Sequence, residues 1–315
     1  MNDLIQIKGL PAIPPLGIGT WQWGDRLVWG YGKGYQQDDT QAAYQAALEG
    51  GVRLFDTAEF YGFGLSEKLI GQYYHAHQPK PLVVSKLFPY PWRFSRKTLL
   101  GALKKSLERL QMKQLDLYLL HWPWKPVSLE DWALSLAEAY EQGLTRAVGV
   151  SNHSLPQLER VAQVLAKHRV PLAVNQVEYH LLERKPEQSG LLRAMQAEGI
   201  VLMAYSPLAM GWLTGKYSLE NPPPGRYRAQ RYVTHKAQIP GLLQTLGEIA
   251  QNRGATKAQV ALRWCIQKGT LPIPGAKNAR QAEGNAGALR IQLSDQEMAR
   301  LDAASAGALV SWHSS

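Results

Sequence analysis

The chain has 315 residues, 45% of them hydrophobic, enough for a large core in one or two domains. Its formal charge of +10 raises nucleic acid as a partner, but Lys and Arg are dispersed, with no run of five and no nucleic-acid motif. A phosphorylated small molecule is the better use of a few of those cations; no membrane-length apolar run or secretory pattern is read, and the single Cys265 excludes an intramolecular disulfide, so cytoplasm is the expected compartment.

The opening IQIKGLPAIPPLG is expected to form a hairpin across the bottom of whatever follows. Short β-branched or apolar runs then recur as GIGT (17–20), VRLF (52–55), LVVSK (82–86), LDLYLLH (115–121), RAVGV (146–150), LAVNQ (172–176), IVLMAYS (200–206) and LPIP (271–274). Between them, segments such as DTQAAYQAALEGG, SRKTLLGALKKSLERLQ, SLEDWALSLAEAYEQG and SLPQLERVAQVLAKH space apolar residues three and four apart, as a helix packed on a sheet requires. Ser95, Ser128 and Ser154 are N-cap candidates, and glycines at 50–51 and 143 are helix stops.

Eight strands, nearly all followed by a helix, predict a parallel α/β sheet closed into a (β/α)8 TIM barrel, one domain over residues 1–315. An open doubly wound sheet is the competing architecture, but its dinucleotide fingerprint is missing: Gly17 and Gly19 form a GxG with no third glycine at the right distance. GWLTGKY (211–217) has three residues between its glycines and no Ser or Thr after the lysine, so it is not a phosphate loop either. The exception to the pattern is the long connection after the seventh strand, residues 207–236, which lacks a helical period and contains PPPG at 222–225. It reads either as a mobile insertion or as a lid over a ligand, with Lys216, Arg226, Arg228 or Arg231 available for phosphates. Trp312 in the tail is a candidate to fold back over a pocket.

Active sites of such barrels lie at the C-terminal strand ends. The sequence places Asp56, Lys86, His121, Ser151–Asn152, Asn175–Gln176, Tyr205–Ser206 and Gly275–Ala276–Lys277 there. Singly, Asp56 reads as a helix cap, Lys86 as a solvated strand end and His121 as a hydrogen-bonded core histidine. Together they read as a site. Lys86 can pair with Asp56, and the glycine-flanked turn of FDTAEFYGFG (55–64) can fold Tyr61 over the pair beside His121. A phenol titrates near pH ~10. A neighbouring cation is expected to lower that value, producing a phenol that exchanges a proton with a carbonyl or alcohol oxygen.

These segments resemble the aldo-keto reductase family over essentially the whole chain, from GIGTW to IPGAKNARQAEGNAGAL. The strongest stretch is GVRLFDTAEFYGFGLSEKLIG (51–71), followed in order by VVSKL (83–87), LDLYLLHWP (115–123), AVGVSNHS (147–154), NQVEYH (175–180) and AYSPLAMGWLTGKY (204–217). The resemblance implies that Tyr61, Asp56, Lys86 and His121 are the catalytic four, and that the cofactor is NADPH, bound extended without a Rossmann fold. It implies that Gly19, Thr20, Trp21 and Asp56 border the nicotinamide, that Ser151, Asn152 and Gln176 bond its carboxamide, and that Tyr205 stacks on its ring. Ser206, Pro207, Leu208, Leu213, Gly215 and Lys216 match the pyrophosphate clamp, which makes the long connection a cofactor lid. Gly275, Lys277, Gln281 and Asn285 match the adenosine end, with Lys277 on the 2′-phosphate and Arg280 as its alternative. Where many relatives have a Glu–Asn pair, this chain has Glu283–Gly284–Asn285, so the acidic residue is displaced or absent.

The implied reaction is reduction of an aldehyde or ketone to an alcohol by a monomer. Trp21, Trp23, Trp92, Trp122 and Trp124 are expected to form an aromatic substrate pocket, suited to a flat or apolar carbonyl compound such as a pyridoxal-like aldehyde. Two other classes compete: a Schiff-base lyase acting through Lys86, and a cofactor-binding regulatory subunit or sensor on the same barrel.

Overall fold

A computed structural model describes residues 3–306, so Trp312 lies outside the described residues. The first half of the barrel comprises β1 (Ile18–Gly19), α1 (Gln37–Glu49), β2 (Leu54–Asp56), α2 (Leu65–Ala76), β3 (Leu82–Leu87), α3 (Thr98–Leu110), β4 (Leu115–Leu120) and α4 (Leu129–Glu141). The second half follows as β5 (Thr145–Ser151), α5 (Leu155–Lys167), β6 (Leu172–Glu178), α6 (Lys185–Gln188), α7 (Leu191–Ala197) and β7 (Val201–Tyr205). It is completed by α8 (Arg226–Gln230), α9 (Ile239–Asn252), α10 (Lys257–Gln267), β8 (Leu271–Ile273), α11 (Ala279–Ala286) and α12 (Asp295–Ser305).

The strands pair in parallel in the order β1 to β8. The seam closes where Gly17 and Gly19 donate to the carbonyls of Pro272 and Pro274, both at 3.0 Å. Glycine is required there: a Cβ on Gly19 would lie 2.9 Å from the Ile273 carbonyl oxygen. The expected (β/α)8 barrel is therefore the observed one.

Alternation along each strand separates two apolar layers. On β3, Leu82 and Val84 face the barrel interior, whereas Val83 and Leu87 face the helices. The predicted hairpin also forms. Ile5 and Ile13 bridge in antiparallel fashion, and Ile7, Leu10 and Ile13 pack into the interior cluster with Leu54, Leu82 and Leu271 at the strand starts. The bottom of the barrel is thus plugged, and polar chemistry is confined to the other end.

Capping follows the sequence at two of the three expected sites. Ser128 accepts the Asp131 amide at 3.1 Å, and Ser154 forms a capping box with Gln157. Ser95 sits too early. Its hydroxyl takes the Lys97 amide at 3.3 Å while α3 begins at Thr98. The connection after β7 holds more structure than its composition implies, with 3₁₀ turns at Ala209–Thr214 and Val233–His235 flanking α8.

Because Ile7 is fully buried in the plug, Ile7→Ala should destabilise the fold by about 2–5 kcal/mol. Denaturant titration should show a lower midpoint at unchanged slope, with the chemistry at the opposite end intact.

Candidate active site

The centre is built from the ends of β2, β3, β4 and β6. Lys86, fully buried, donates from Nζ to Asp56 Oδ2 at 2.7 Å, to the Thr57 carbonyl at 2.8 Å and to Tyr61 Oη at 3.3 Å. Gln176 reaches across from β6 and donates to Asp56 Oδ1 at 2.8 Å, so both carboxylate oxygens are engaged. The His121 ring stands edge-on to Tyr61, with centroids 5.9 Å apart, and Trp21 stacks on the other side of the phenol at 6.3 Å.

Burial decides the charge states. It pushes the Lys86 ammonium below its ordinary range and the Asp56 carboxyl above its own, and their mutual attraction opposes both shifts. His121 is held well below 6.5 by burial and then by Lys86, so its imidazole is neutral. The expected lowering of the Tyr61 pKa does not occur. Burial, reinforced by Asp56 and Tyr205, raises it well above 10, and one ammonium at 3.3 Å does not offset that. Tyr61 is a firmly protonated phenol, the state a proton donor requires.

Tyr61 and His121 open onto a cavity of about 920 Å³ that runs across the barrel mouth. Its wall includes Gly19, Trp21, Asp56, Ser151, Asn152, Gln176 and Tyr205, then Ser206, Pro207, Leu208, Gly215 and Lys216, and finally Gly275, Lys277, Gln281 and Asn285. Ser151 donates to the Gln176 carbonyl at 2.8 Å, and Tyr205 donates to Asn152 Oδ1 at 3.0 Å. Asn152, Ser206 and Met210 hold positive φ values of 62°, 51° and 53° on this wall. Such backbone costs about 1–3 kcal/mol per residue and concentrates at ligand sites.

Five residues expected to touch cofactor or substrate lie off the wall, apart from Arg280, the alternative phosphate cation. Thr20 is buried, bonded to the Asp56 carbonyl and to Ser66, because the strand-end turn directs it inward. Leu213 faces the helical core. Trp23 is fully buried against Phe55 and Tyr73 and donates to the Ala276 carbonyl at 2.7 Å. Trp92 stacks on Tyr90 and is 67% exposed; Trp124 stacks on Trp122 and is 45% exposed. The aromatic wall instead comprises Trp21, Trp29, Phe60, Phe88 and Trp122.

Trp29 was the least legible of these. It belongs to the glycine- and aromatic-rich arm at 21–36, whose length after a first strand was the available signal. Asp25 fixes the arm by accepting from Trp21 Nε1 at 3.0 Å and from the Val28 amide at 2.7 Å. The lid meets the arm directly: the Arg228 guanidinium lies 4.7 Å from the Trp29 ring and 5.6 Å from that of Tyr217. Arg228 also donates to the Met210 carbonyl at 2.8 Å. The far side of the lid is tied to β6, where Glu178 accepts from Tyr232 at 2.6 Å and pairs with Arg231. Burial would raise the Glu178 pKa, but His180, Arg231 and Tyr232 bring it down to about 2. The 207–236 connection is therefore anchored on both sides.

The wall fits a dinucleotide carrying phosphates. Near Tyr61 it offers amide and hydroxyl groups, and at the other end Lys216, Arg228 and Lys277 converge without a carboxylate on the wall between them. Burial, then Arg228 and Lys216, lowers the Lys277 pKa to about 8 with Asp25 opposing, and Lys277 Nζ donates to the Trp29 carbonyl at 2.8 Å. The starts of α10 and α11 abut the same region through Thr256, Ala258 and Gln281, and helix N-termini favour anions. Gly284 occupies the wall where the displaced acid was expected, and a Cβ there would meet open space. Glu283 is exposed, as is Arg280, and neither is on the wall.

Residues 15–306 match the profile of the aldo/keto reductase family. The chain belongs to that family. It is 41% identical to the chloroplastic pyridoxal reductase of Arabidopsis thaliana over 310 residues, covering 92% of this chain and 83% of that protein. It is 34% identical to a methylglyoxal reductase of Escherichia coli K12, covering 96% and 95% of the two chains. Among solved structures, the aldo-keto reductase of Klebsiella pneumoniae in complex with NADPH superposes with a TM-score of 0.75 at 31% identity, covering 96% and 95%. A thermostable aldo-keto reductase bound to the inhibitor epalrestat gives 0.77 at 32%, covering 96% and 99%. As an aldo/keto reductase, this chain is an NADPH-dependent oxidoreductase acting on carbonyl compounds. Among the described residues, no helix is long and apolar enough to cross a membrane.

The Lys277 ammonium loses its proton as pH rises through about 8. The preference for NADPH over NADH should therefore shrink above that pH in fluorescence titrations, while NADH affinity stays flat. Lys277→Ala should weaken NADPH selectively at every pH; equal weakening of both cofactors would move the phosphate contact to another cation.

Proposed function

We propose that this aldo/keto reductase reduces a flat, ring-bearing aldehyde of the pyridoxal class, with Tyr61 giving the proton to the carbonyl oxygen. The observation that carries this reading is the chain of contacts from Asp56 through Lys86 to the Tyr61 hydroxyl, at 2.7 and 3.3 Å, opening beneath an aromatic wall. When bound, NADPH supplies the hydride. Tyr61 and neutral His121 bracket the carbonyl oxygen and hold it in position. As negative charge develops there, the phenol donates its proton and Lys86 stabilises the phenolate left behind. Asp56, held by Gln176, keeps Lys86 aimed at Tyr61. Ser151, Asn152, Gln176 and Tyr205 form the nicotinamide wall; Lys216, Arg228 and Lys277 serve the phosphates.

The substrate class rests on shape. Phe60 stacks on Phe88 at 4.5 Å, and Phe88 meets the His121 ring edge-on at 5.6 Å, so a planar ring entering here finds planar partners. The likeness to a pyridoxal reductase supports the same class. A lyase using Lys86 as nucleophile is disfavoured, because its ammonium is fully buried and committed to three acceptors. The free, buried Cys265 supports a reducing compartment such as the cytoplasm.

NADPH absorbance assays with pyridoxal, methylglyoxal and glyceraldehyde 3-phosphate test the class. Highest kcat/KM for pyridoxal is expected, and preference for either small aldehyde would overturn it. Tyr61→Phe should lower the reduction rate by about 10²–10⁴-fold with NADPH affinity retained; normal turnover would remove Tyr61 from the role. Because the phenol stays protonated far into alkaline pH, Tyr61 titration should leave reduction flat through the neutral range. Alcohol oxidation, which needs the phenolate, should climb with pH.

A further inference from the structure

The fully buried carboxylate of Glu67 takes no part in the proton path described above, yet it lies directly behind it. Tyr61 sits in a short 3₁₀ turn whose next three residues, Gly62, Phe63 and Gly64, have φ of 56°, 53° and 86°. Its backbone bonds are local ones, from the Tyr61 amide to the Ala58 carbonyl at 3.0 Å and from the Phe63 amide to the Phe60 carbonyl at 3.2 Å, and they do not reach the neighbouring strands. What fixes it is the first turn of α2, immediately downstream.

Two adjacent side chains act there. Ser66 accepts from the Thr57 hydroxyl at 2.9 Å and donates to the Thr20 carbonyl at 3.0 Å, fastening α2 to the ends of β1 and β2. Glu67 accepts from the Ser85 hydroxyl at 2.5 Å and from Arg109 Nε at 2.5 Å, fastening it to β3 and α3. Ser85 is the residue before Lys86, and successive strand residues point to opposite faces. The Glu67–Ser85 bond thus grips the outside of β3 at the point where Lys86 projects inward. Arg109 runs beneath the Tyr61 turn, so close that a Cβ on Gly64 would lie 2.7 Å from its Cδ.

We propose that Glu67 is a positioning residue for the reduction: through Ser85 and Arg109 it sets the Tyr61 turn against the strand that carries Lys86. This rests on the assignment of Tyr61 and Lys86 as the proton-donating pair. Burial lowers the Lys86 pKa, and Asp56 and then Glu67 oppose that shift; burial raises the Glu67 carboxyl in turn, with Arg109 and Ser85 opposing. Residues that serve only packing lower stability when replaced and leave the chemistry of the survivors unchanged. Glu67 should behave differently, since small displacements of a reacting pair cost large factors in rate.

Glu67→Gln keeps the size and an acceptor for Ser85 but removes the charge; Ser85→Ala removes the grip on β3. Both should lower kcat by about tenfold or more while the NADPH dissociation constant stays within about twofold. In Glu67→Gln the alkaline limb of kcat should also move to lower pH, because Lys86 gives up its proton more readily; Glu67→Asp should recover part of the rate. A Glu67→Gln enzyme with wild-type kcat and pH profile, whatever its melting temperature, would overturn the proposal. If that variant does not fold, wild-type kcat in Ser85→Ala overturns it instead. Tyr61→Phe run alongside separates the two levels: an active Tyr61→Phe enzyme refutes the donor assignment, whereas an inactive one beside a normal Glu67→Gln refutes only the positioning role.

Discussion

The buried ion pair between Lys86 and Asp56 is the constraint around which this site is organised. Removing two charges from water costs several kcal/mol per ion, on the order of what their attraction returns. Such a pair persists where every donor and acceptor is satisfied, and here each partner is. Lys86 spends its protons on Asp56, the Thr57 carbonyl and Tyr61, and Asp56 receives Lys86 on one oxygen and Gln176 on the other. The hydrophobic plug beneath, the seam of glycines at β1 and β8, and the stapled turn of α2 all hold the strand ends that this pair needs. Burial makes the pair expensive. It also keeps Tyr61 protonated and His121 neutral, so the phenol has a proton to give and the imidazole carries no charge; the raised pKa makes that phenol a weaker acid than the lowered value first expected.

Much of this was readable from residue order because strand ends obey a simple rule. A run such as LVVSK stops where polar side chains begin, and in a closed parallel barrel every such stop lies on one face. Asp56, Lys86 and His121 were found together by that argument alone, and the eight strand positions match the observed ones to within a residue or two. Depth relative to the wall was less visible. Trp23, Trp92 and Trp124 all lie near strand ends, but one turns into the core and two remain at the surface. Nothing in a linear pattern separates those fates, because each depends on the path of a loop. Thr20 and Leu213 were misplaced for the same reason, one residue's rotation sending a side chain to the other side of the backbone. The arm bearing Trp29 was hidden because its contacts, Arg228 and Lys277, lie 199 and 248 residues further along the chain.

The lid shows how far composition can mislead about order. Residues 207–236, with their prolines and no helical period, look like an insertion, yet Trp212 is buried and donates to the Arg228 carbonyl at 3.2 Å. Cation–aromatic contacts on one side and the Glu178 cluster on the other replace the periodic apolar packing of a helix. These contacts are specific pairings rather than a stripe, and so leave no periodic trace.

The hydrogen bond from Gln176 to Asp56 has a wider meaning. Asp56, Lys86 and His121 come from one arc of the barrel, β2 to β4, and Ser151, Gln176, Tyr205 and Gly275 from the opposite arc, β5 through β8. The Gln176 side chain of β6 reaches Asp56 of β2 across the mouth at 2.8 Å and ties the two arcs together. A substitution at that crossing reaches both arcs at once.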